Sequence, residues 1–367
     1  MQAPDYAFRG HSNPVNCVHF FDFNRLILSG DSTGSLKIWE ICSRRCLATV
    51  VAHDDSILSL CALNKSNFVS SSKDGKIKIW DLDIKPRIHS TSLESGSVGF
   101  CNIAVDSNNH QSRWNTTIFS PSSDSSTAML WDVRESQKPA KILRTSSVLS
   151  KNHGMITALR FHSNFSHPLL SGPTLLCGFE DGSLVFFDLR TFQHLGSLKH
   201  HSEPLLTIDI SPTSSSFITG GADSLLNSYT SQNSANEVED IGEPKSDFLQ
   251  RSHHQILRSP GTGSLSYRSD GRVIVSAHWD GTARLWAAKK LKPLAVLRHH
   301  RESVFGTAFG GCDDSSEGAG KSPINLGLFA TASKDCTVAV WSTLADSLRL
   351  NPDTSIGSST LEDMKVT

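Results

Sequence analysis

The chain has 367 residues, of which 38% are hydrophobic and 19% charged, so it is a folded globular protein with a lightly charged surface. Its 35 basic side chains almost balance 36 acidic ones, and the formal net charge is −1. This balance argues against a nucleic-acid partner and against membrane binding through bulk charge, because such proteins usually carry an excess of basic residues.

The first residues, MQAPDYAFRGHS, lack the basic and apolar regions of a secretory signal, and no apolar run approaches the ~18 residues that span a bilayer. We expect a cytoplasmic and nuclear protein without membrane insertion. Cys42 and Cys46 are four residues apart and no second pair matches them, so we predict no metal site and no cofactor.

One ten-residue pattern recurs seven times and combines a tight turn, alternating apolar residues and an aromatic residue. In chain order the copies are DSTGSLKIWE (31–40), SKDGKIKIWD (72–81), SDSSTAMLWD (123–132), FEDGSLVFFD (179–188), GADSLLNSYT (221–230), HWDGTARLWA (278–287) and SKDCTVAVWS (333–342). Their aromatic residues are Trp39, Trp80, Trp131, Phe187, Tyr229, Trp286 and Trp341.

Two polar residues accompany this pattern. Five copies have an Asp six residues before the aromatic, while Thr33 and Ser125 hold that place in the others; the acids are Asp74, Asp181, Asp223, Asp280 and Asp335. A His also precedes five of the aromatics, with Ser/Gly/Pro-rich insertions in two units; these are His11, His53, His153, His201 and His300. Copies three and six lack the His.

Each unit therefore predicts four short strands with an Asp-Gly type of turn between the second and third. We predict the fourth strand in segments such as LDIKPRIHS (82–90) and KKLKPLAVL (289–297). Such a unit is a propeller blade, and seven copies predict an all-β, seven-bladed β-propeller that forms a single domain over residues 4–344. We expect residues 4–9 to supply the outer strand of the last blade and so close the ring. Residues 231–249 predict an acidic inter-blade loop after blade five, and residues 345–367 a disordered tail.

His53, Asp74, a serine among residues 70–72 and Trp80 resemble a catalytic triad with an orienting aromatic residue. The set recurs in several copies, however, whereas an enzyme needs one site. We interpret it as a buried hydrogen-bonded strut in each blade, and we predict no catalytic residue. The GTGS segment at 261–264 lacks the Lys and the helix of a phosphate-binding loop.

The residue just before the turn Asp varies between copies and should face the mouth of the central channel. Trp279 holds this place, and Lys73, Glu180 and Lys334 hold it in other blades. Two interpretations of Trp279 stay open: an exposed binding hot spot, or a side chain tucked under a neighbouring loop. The candidate partner-binding residues are Trp279, Lys73, Glu180, Lys334, Glu203, Arg301 and Glu302.

A second candidate surface follows the aromatic residues of copies three and four. Asp132-Val133-Arg134 and Asp188-Leu189-Arg190 match the W-D-x-R ending of propellers that serve as substrate receptors of cullin-4 RING ubiquitin ligases. Arg134 and Arg190 would then contact the ligase adaptor, although an Asp at this position is also a plain repeat feature.

Several segments resemble one WD-repeat family: LESGSVGFC (93–101), LLCGFEDGSLVFFD (175–188), HHSEPLLTIDI (200–210), SAHWDGTARLW (276–286), PLAVLRHHRESV (293–304) and ASKDCTVAVWS (332–342). This is the family of guanine nucleotide-binding protein subunit beta-like protein 1, which includes the fungal ASTRA-associated protein 1 and the plant protein decreased size exclusion limit 1, or Tanmei. The similarity runs from about residue 8 to 343.

The resemblance implies a non-catalytic scaffold. It implies protein partners in a co-chaperone assembly for phosphatidylinositol-3-kinase-related kinases or in the chromatin-associated ASTRA complex. For a plant member it also implies roles in development and in transport through plasmodesmata. No G-protein gamma subunit is expected as a partner, since only ten residues precede His11.

Overall fold

Antiparallel strands account for the regular structure of the computed structural model. It describes residues 3–22, 24–82, 89–97, 99–105, 117–124, 126–134, 138–144, 153–165, 172–212, 216–230, 251–311 and 327–343. Within these ranges 28 strands form seven four-stranded sheets, and there is no helix.

The first four blades follow one another along the chain, each with its strands paired in sequence order. Blade 1 contains β2 Val15–Phe21, β3 Leu26–Asp31, β4 Ser35–Glu40 and β5 Arg45–Val51. Blade 2 contains β6 Ile57–Ala62, β7 Asn67–Ser72, β8 Lys76–Asp81 and β9 His89–Glu94. Blade 3 contains β10 Ala104–Val105, β11 Thr117–Pro121, β12 Thr127–Asp132 and β13 Lys141–Arg144. Blade 4 contains β14 Ile156–Phe165, β15 Gly172–Phe179, β16 Ser183–Asp188 and β17 Gln193–Lys199.

The remaining blades complete the ring, and the last one takes its outer strand from the start of the chain. Blade 5 contains β18 Leu205–Ile210, β19 Ser216–Gly221, β20 Leu225–Thr230 and β21 Arg251–Ile256. Blade 6 contains β22 Thr262–Tyr267, β23 Val273–His278, β24 Thr282–Ala287 and β25 Lys292–Arg298. Blade 7 contains β26 Val304–Phe309, β27 Leu328–Ser333, β28 Thr337–Ser342 and β1 Tyr6–Arg9.

β1 closes the ring as predicted, although it begins at Tyr6 rather than at residue 4. It pairs antiparallel with β28, with Phe8 opposite Val338. Phe8 is 2% exposed, and its ring centre lies 4.9 Å from that of Trp39 in blade 1. The N-terminal strand therefore fills the gap between the last and first blades and leaves no open edge on β28.

The hydrophobic core lies between neighbouring blades, whose first strands line the central channel and contact one another. Polar side chains on these inner strands connect consecutive blades. His19 Nε2 accepts the backbone N–H of Ala62 at 3.2 Å, and Asp209 accepts that of Tyr267 at 2.6 Å. Arg160 adds an ion pair with Asp209 at 2.6 Å. The channel wall is thus held by inter-blade hydrogen bonds in addition to apolar packing.

The strand order creates two functionally different faces. Because strands alternate in direction, the turns between second and third strands share one end of the propeller with the connections between blades. We call this end the mouth face. The turns between first and second strands, and between third and fourth strands, lie at the opposite end, which we call the rear face.

Two predicted segments are corrected by the pairing. The acidic segment 231–249 was predicted to link blades five and six, but β21 follows it and pairs with β20, so it connects two strands of blade 5. The fourth strand of blade 2 was predicted within LDIKPRIHS (82–90), whereas β9 runs from His89 to Glu94. Residues 231–249 themselves, Ser125 and the predicted tail 345–367 lie outside the described residues.

Candidate functional site

The seven repeated aromatic residues occupy the same position, the fifth residue of the third strand in each blade. In blade 2 the Trp80 indole N–H donates to Ser70 Oγ at 2.8 Å, and the Ser70 hydroxyl contacts His53 Nε2 at 2.7 Å. His53 Nδ1 in turn lies 2.9 Å from Asp74 Oδ2. The chain joins the inter-blade connection to the turn between the second and third strands, as the repeat pattern predicts.

The ionisation states of the buried His and Asp side chains support this arrangement. Burial lowers the pKa of His53 and of His11. A neutral imidazole can donate from Nδ1 to the carboxylate and accept the serine proton at Nε2, which satisfies every group in the chain. Burial on its own raises the pKa of Asp74, but hydrogen bonds from the Lys76 backbone and from His53 outweigh it, so the pKa lies below its ordinary value.

The hydroxyl groups in these chains are sealed from solvent. Ser29, Ser70, Thr219 and Thr331 are each 0% exposed and lie between an aromatic residue and a His in blades 1, 2, 5 and 7. A nucleophile must reach its substrate, and these oxygens cannot. The repeated His, Asp and hydroxyl groups therefore stabilise the blades.

In blade 1 the acid of the chain is a residue that the repeat count did not identify. His11 Nδ1 lies 2.8 Å from Asp31 Oδ2, and Asp31 also accepts the backbone N–H groups of Thr33 and Ser35, both at 3.0 Å. Thr33, which holds the expected place in the sequence, also donates its hydroxyl to Asp31 at 2.8 Å. Asp31, two positions upstream of Thr33, therefore takes the place of the usual acid. The Asp-Ser-Thr-Gly sequence was the signal for this.

Blade 6 lacks the upstream His but replaces it from its own second strand. His278 Nε2 lies 2.6 Å from Ser276 Oγ, which also accepts the Trp286 indole N–H at 2.8 Å. His278 is 0% exposed, and burial with the nearby Arg284 lowers its pKa to about 3. Asp280 pairs instead with Arg284 at 2.6 Å.

Blades 3 and 4 keep only parts of the chain. Trp131 donates to Ser120 Oγ at 2.9 Å, and the nearby acid is Asp124, which binds Thr127 at 2.8 Å. In blade 4 the His153–Asp181 pair is present at 3.1 Å, but Phe187 has no donor to continue it.

The candidate partner-binding residues all lie on the mouth face. Lys73, Glu180, Trp279 and Lys334 are each the first residue after the second strand of their blades. The other three lie in inter-blade connections on the same face: Glu203, Arg301 and Glu302. This position carries a different side chain in each blade, whereas the buried chain behind it repeats.

Trp279 combines both interpretations that the sequence left open. One side of its ring packs on Gly261 in the preceding connection, so closely that no Cβ would fit there, while 43% of the residue is exposed. Its backbone is fixed on both sides, because its N–H donates to Gly261 O at 3.1 Å and its carbonyl accepts from Ser303 Oγ at 2.8 Å. Trp279 is thus an immobilised and partly exposed aromatic residue.

Phe100 is a second exposed aromatic residue on the mouth face, and the sequence reasoning missed it. It lies in the connection between blades 2 and 3 and is 72% exposed. The Lys73 ammonium lies 4.8 Å from the centre of its ring, a cation–π distance. The signal was an aromatic residue at the place where five of the other connections carry the His.

Arg134 and Arg190 lie on the rear face, in the turns after the third strands of the adjacent blades 3 and 4. Each guanidinium forms a fork with the Asp two residues before it, at 2.7 Å from Asp132 and 2.9 Å from Asp188. Both side chains stay largely exposed, at 66% and 59%. They are therefore far from the mouth face and present two matching charges on neighbouring blades.

Among the described residues, no group of three or more His, Cys, Asp or Glu side chains could hold a metal ion. A search of the same residues finds no helix long and apolar enough to cross a membrane.

Comparison with known proteins identifies the repeat. The family model "WD domain, G-beta repeat" matches residues 3–40, 44–81, 192–229 and 252–287, so the chain carries WD40 repeats. Guanine nucleotide-binding protein subunit beta-like protein 1 of Mus musculus is 26% identical over 92% of this chain and 95% of its own length. ASTRA-associated protein 1 of Schizosaccharomyces pombe is 22% identical over 92% of this chain and 98% of its own. The family resemblance in the sequence is confirmed.

A solved structure shares the fold. The β-propeller domain of Myceliophteria thermophila Cps50 (Swd1) aligns with a TM-score of 0.69 at 17% identity, covering 91% of this chain and 98% of that domain. This likeness confirms the seven-bladed, all-β propeller.

Proposed function

We propose that this WD-repeat propeller, a relative of the beta-like protein 1 and ASTRA-associated protein 1 chains, is a non-catalytic scaffold that binds other proteins through its mouth face. The observation that carries the proposal is the contrast between a repeated buried strut and a variable exposed residue directly in front of it. Complete or partial struts maintain the fold, so the exposed position in front of them is free to carry a side chain that suits a partner.

The names of the relatives suggest which assembly the scaffold joins. Relatives from fungi and mouse align over most of their own length, and the fungal ones are called ASTRA-associated. We infer an ASTRA-type or co-chaperone assembly for phosphatidylinositol-3-kinase-related kinases, in the cytoplasm and nucleus. A role in plant development and plasmodesmatal transport rests on the sequence resemblance alone.

The test is recovery of partners by affinity purification and mass spectrometry. Trp279→Ala should leave the fold intact and lower recovery of the main partners at least about fivefold, because it removes a fixed and exposed aromatic contact. Lys290→Ala, an exposed residue on the rear face, is the matched control and should change nothing. Unchanged recovery of every partner with Trp279→Ala, together with Lys73→Ala and Glu180→Ala, would remove the mouth face as the docking surface.

A substrate receptor of a cullin-4 RING ligase is the second candidate function. It is favoured by the exposed Arg134 and Arg190 on one face of adjacent blades. Arg134→Glu combined with Arg190→Glu should abolish recovery of the ligase adaptor, since reversed charges repel a surface built for guanidinium groups. If the double variant recovers as much adaptor as the original chain, or neither recovers any, this candidate is wrong.

A further inference from the structure

Charges on the mouth face are unevenly distributed around the ring. The loops and turns of blades 6 and 7 expose Arg258, Arg301 and Lys334. The exposed acids there are Glu302, whose carboxylate lies 3.8 Å from the Lys334 ammonium, and Asp280, which pairs with Arg284 at 2.6 Å. The adjoining strand ends add two more exposed cations, Arg9 and Arg298. This part of the mouth is therefore basic.

The other part of the mouth has the opposite character. The exposed residues in the connections and turns of blades 2, 4 and 5 include Asp54, Asp55, Glu180 and Glu203. The cations on this side are Lys73, whose ammonium lies over the Phe100 ring, Lys76, which lies 3.7 Å from Asp54, and Lys199, which lies 3.4 Å from Asp181. A chain of nearly zero net charge thus presents a face with a basic side and an acidic side.

Trp279 lies on the basic side and is joined to it by hydrogen bonds. Its carbonyl accepts from Ser303 Oγ at 2.8 Å, and the Ser303 carbonyl accepts the Lys334 backbone N–H at 2.9 Å. Arg301 is anchored by its own N–H to Asp335 Oδ2 at 3.2 Å, while its side chain is exposed. The backbone positions that carry the Trp279 ring, Arg301 and Lys334 are consequently fixed relative to one another before any partner arrives, which lowers the entropy cost of binding.

We propose that Trp279, Arg258, Arg301 and Lys334, together the Trp279 sector, bind an acidic peptide segment of a partner protein that lays an apolar side chain on the Trp279 ring. The inference rests on the proposed scaffold function and names the chemistry of what docks. Charge complementarity selects an acidic segment and speeds its encounter, while the desolvated ring supplies most of the affinity. A basic segment would instead be repelled by the Trp279 sector.

The experiment is selection of a random dodecapeptide display library against the purified full-length chain. The enriched peptides should carry net negative charge and at least one aromatic or large aliphatic residue. A synthetic peptide of the enriched sequence should then bind at least about tenfold more weakly to Trp279→Ala, with binding partly restored by Trp279→Phe. Arg301→Glu should weaken it several-fold, and raising salt from about 0.05 to about 0.5 M should weaken binding to the original chain.

Phe100→Ala is the matched control, since it removes the other exposed aromatic residue of the mouth face and should leave the affinity unchanged. Enrichment of basic or uncharged peptides, no enrichment, or binding that survives Trp279→Ala and Arg301→Glu would overturn the proposal. So would tighter binding of a uridine dodecanucleotide through the same residues. The scaffold function is tested separately, by partner recovery. If a partner binds elsewhere on the mouth face, the scaffold function remains supported while the proposal for the Trp279 sector is wrong.

Discussion

At the scale of single residues, side chains at different sequence positions complete the buried hydrogen-bonded strut in different blades. Asp31 replaces the acid that Asp74 provides in blade 2, and His278 replaces the His that reaches in from the preceding connection. A blade with a buried hydroxyl behind its aromatic residue needs a hydrogen-bond partner for it, because leaving one unpaired costs about 1–3 kcal/mol. The position of the residue that supplies it is free to shift.

His278 makes a prediction about pH. Its pKa in the folded chain is about 3, below the ordinary 6.5, so between these values the unfolded chain binds a proton that the folded chain does not. The stability that the folded chain has with a neutral His278 is fully present above pH ~6.5, and it is lost as the pH falls below that value. His278→Gln should therefore reduce the loss of unfolding free energy between pH 7 and pH 5 by about 2 kcal/mol, measured by urea unfolding.

The control for this measurement is His254→Gln, an exposed His on β21. It should leave the pH dependence as it is in the original chain. If His278→Gln retains the full pH dependence, the buried His278 is not the group that titrates.

At the scale of elements, five blades share a left-handed residue in the turn between second and third strands, and four of the five place glycine there. Gly34, Gly75, Gly182 and Gly281 have φ between +79° and +82° at this point, where a left-handed conformation suits glycine. Blade 7 places Cys336 there instead, with φ +66°. A side chain in this conformation costs about 1 kcal/mol.

Cys336→Gly should therefore raise the free energy of unfolding by about 0.5–1 kcal/mol, the strain relieved being partly offset by a more flexible unfolded chain. The reciprocal change, Gly281→Cys in blade 6, should lower it by a similar amount. A Cβ at Gly281 would meet the Glu302 carbonyl at 3.2 Å, so the site has just enough room for the comparison. Denaturant unfolding of both variants measures these changes in the free energy of unfolding. A Cys336→Gly variant less stable than the original chain would show that Cys336 is not strained.

The element scale also shows where counting along the sequence fails. The third-strand aromatics were placed correctly because every third strand has the same length and carries its aromatic residue at the same position. Asp31 was missed because it lies two positions before the expected place, and the fourth strand of blade 2 because a Pro-containing segment precedes it. Spacing is informative where the backbone geometry is shared and uninformative where a loop absorbs the difference.

At the scale of the whole molecule, closure depends on four N-terminal residues. Phe8 on β1 is buried between blades 7 and 1, so Phe8→Ala should lower the free energy of unfolding by about 3–5 kcal/mol. It should also promote self-association, because a loosened β1 uncovers the edge of β28. Arg9→Ala on the same strand, an exposed position, should change stability by less than ~0.5 kcal/mol.

Urea unfolding and size-exclusion chromatography read the two effects. A Phe8→Ala chain as stable and as monomeric as Arg9→Ala would mean that β1 does not hold the ring together.

The sequence alone determined the number of blades, the third strand of each and the closure by the N-terminal strand, because a repeated local pattern must repeat the same local structure. It also predicted that the His, Asp and Trp residues are struts. Only the tertiary structure decided that Asp31 and His278 complete them, that Phe100 and Trp279 are exposed, and that the mouth face has a basic and an acidic side. These features join residues from different blades, and no local spacing records which loops meet once the ring has closed.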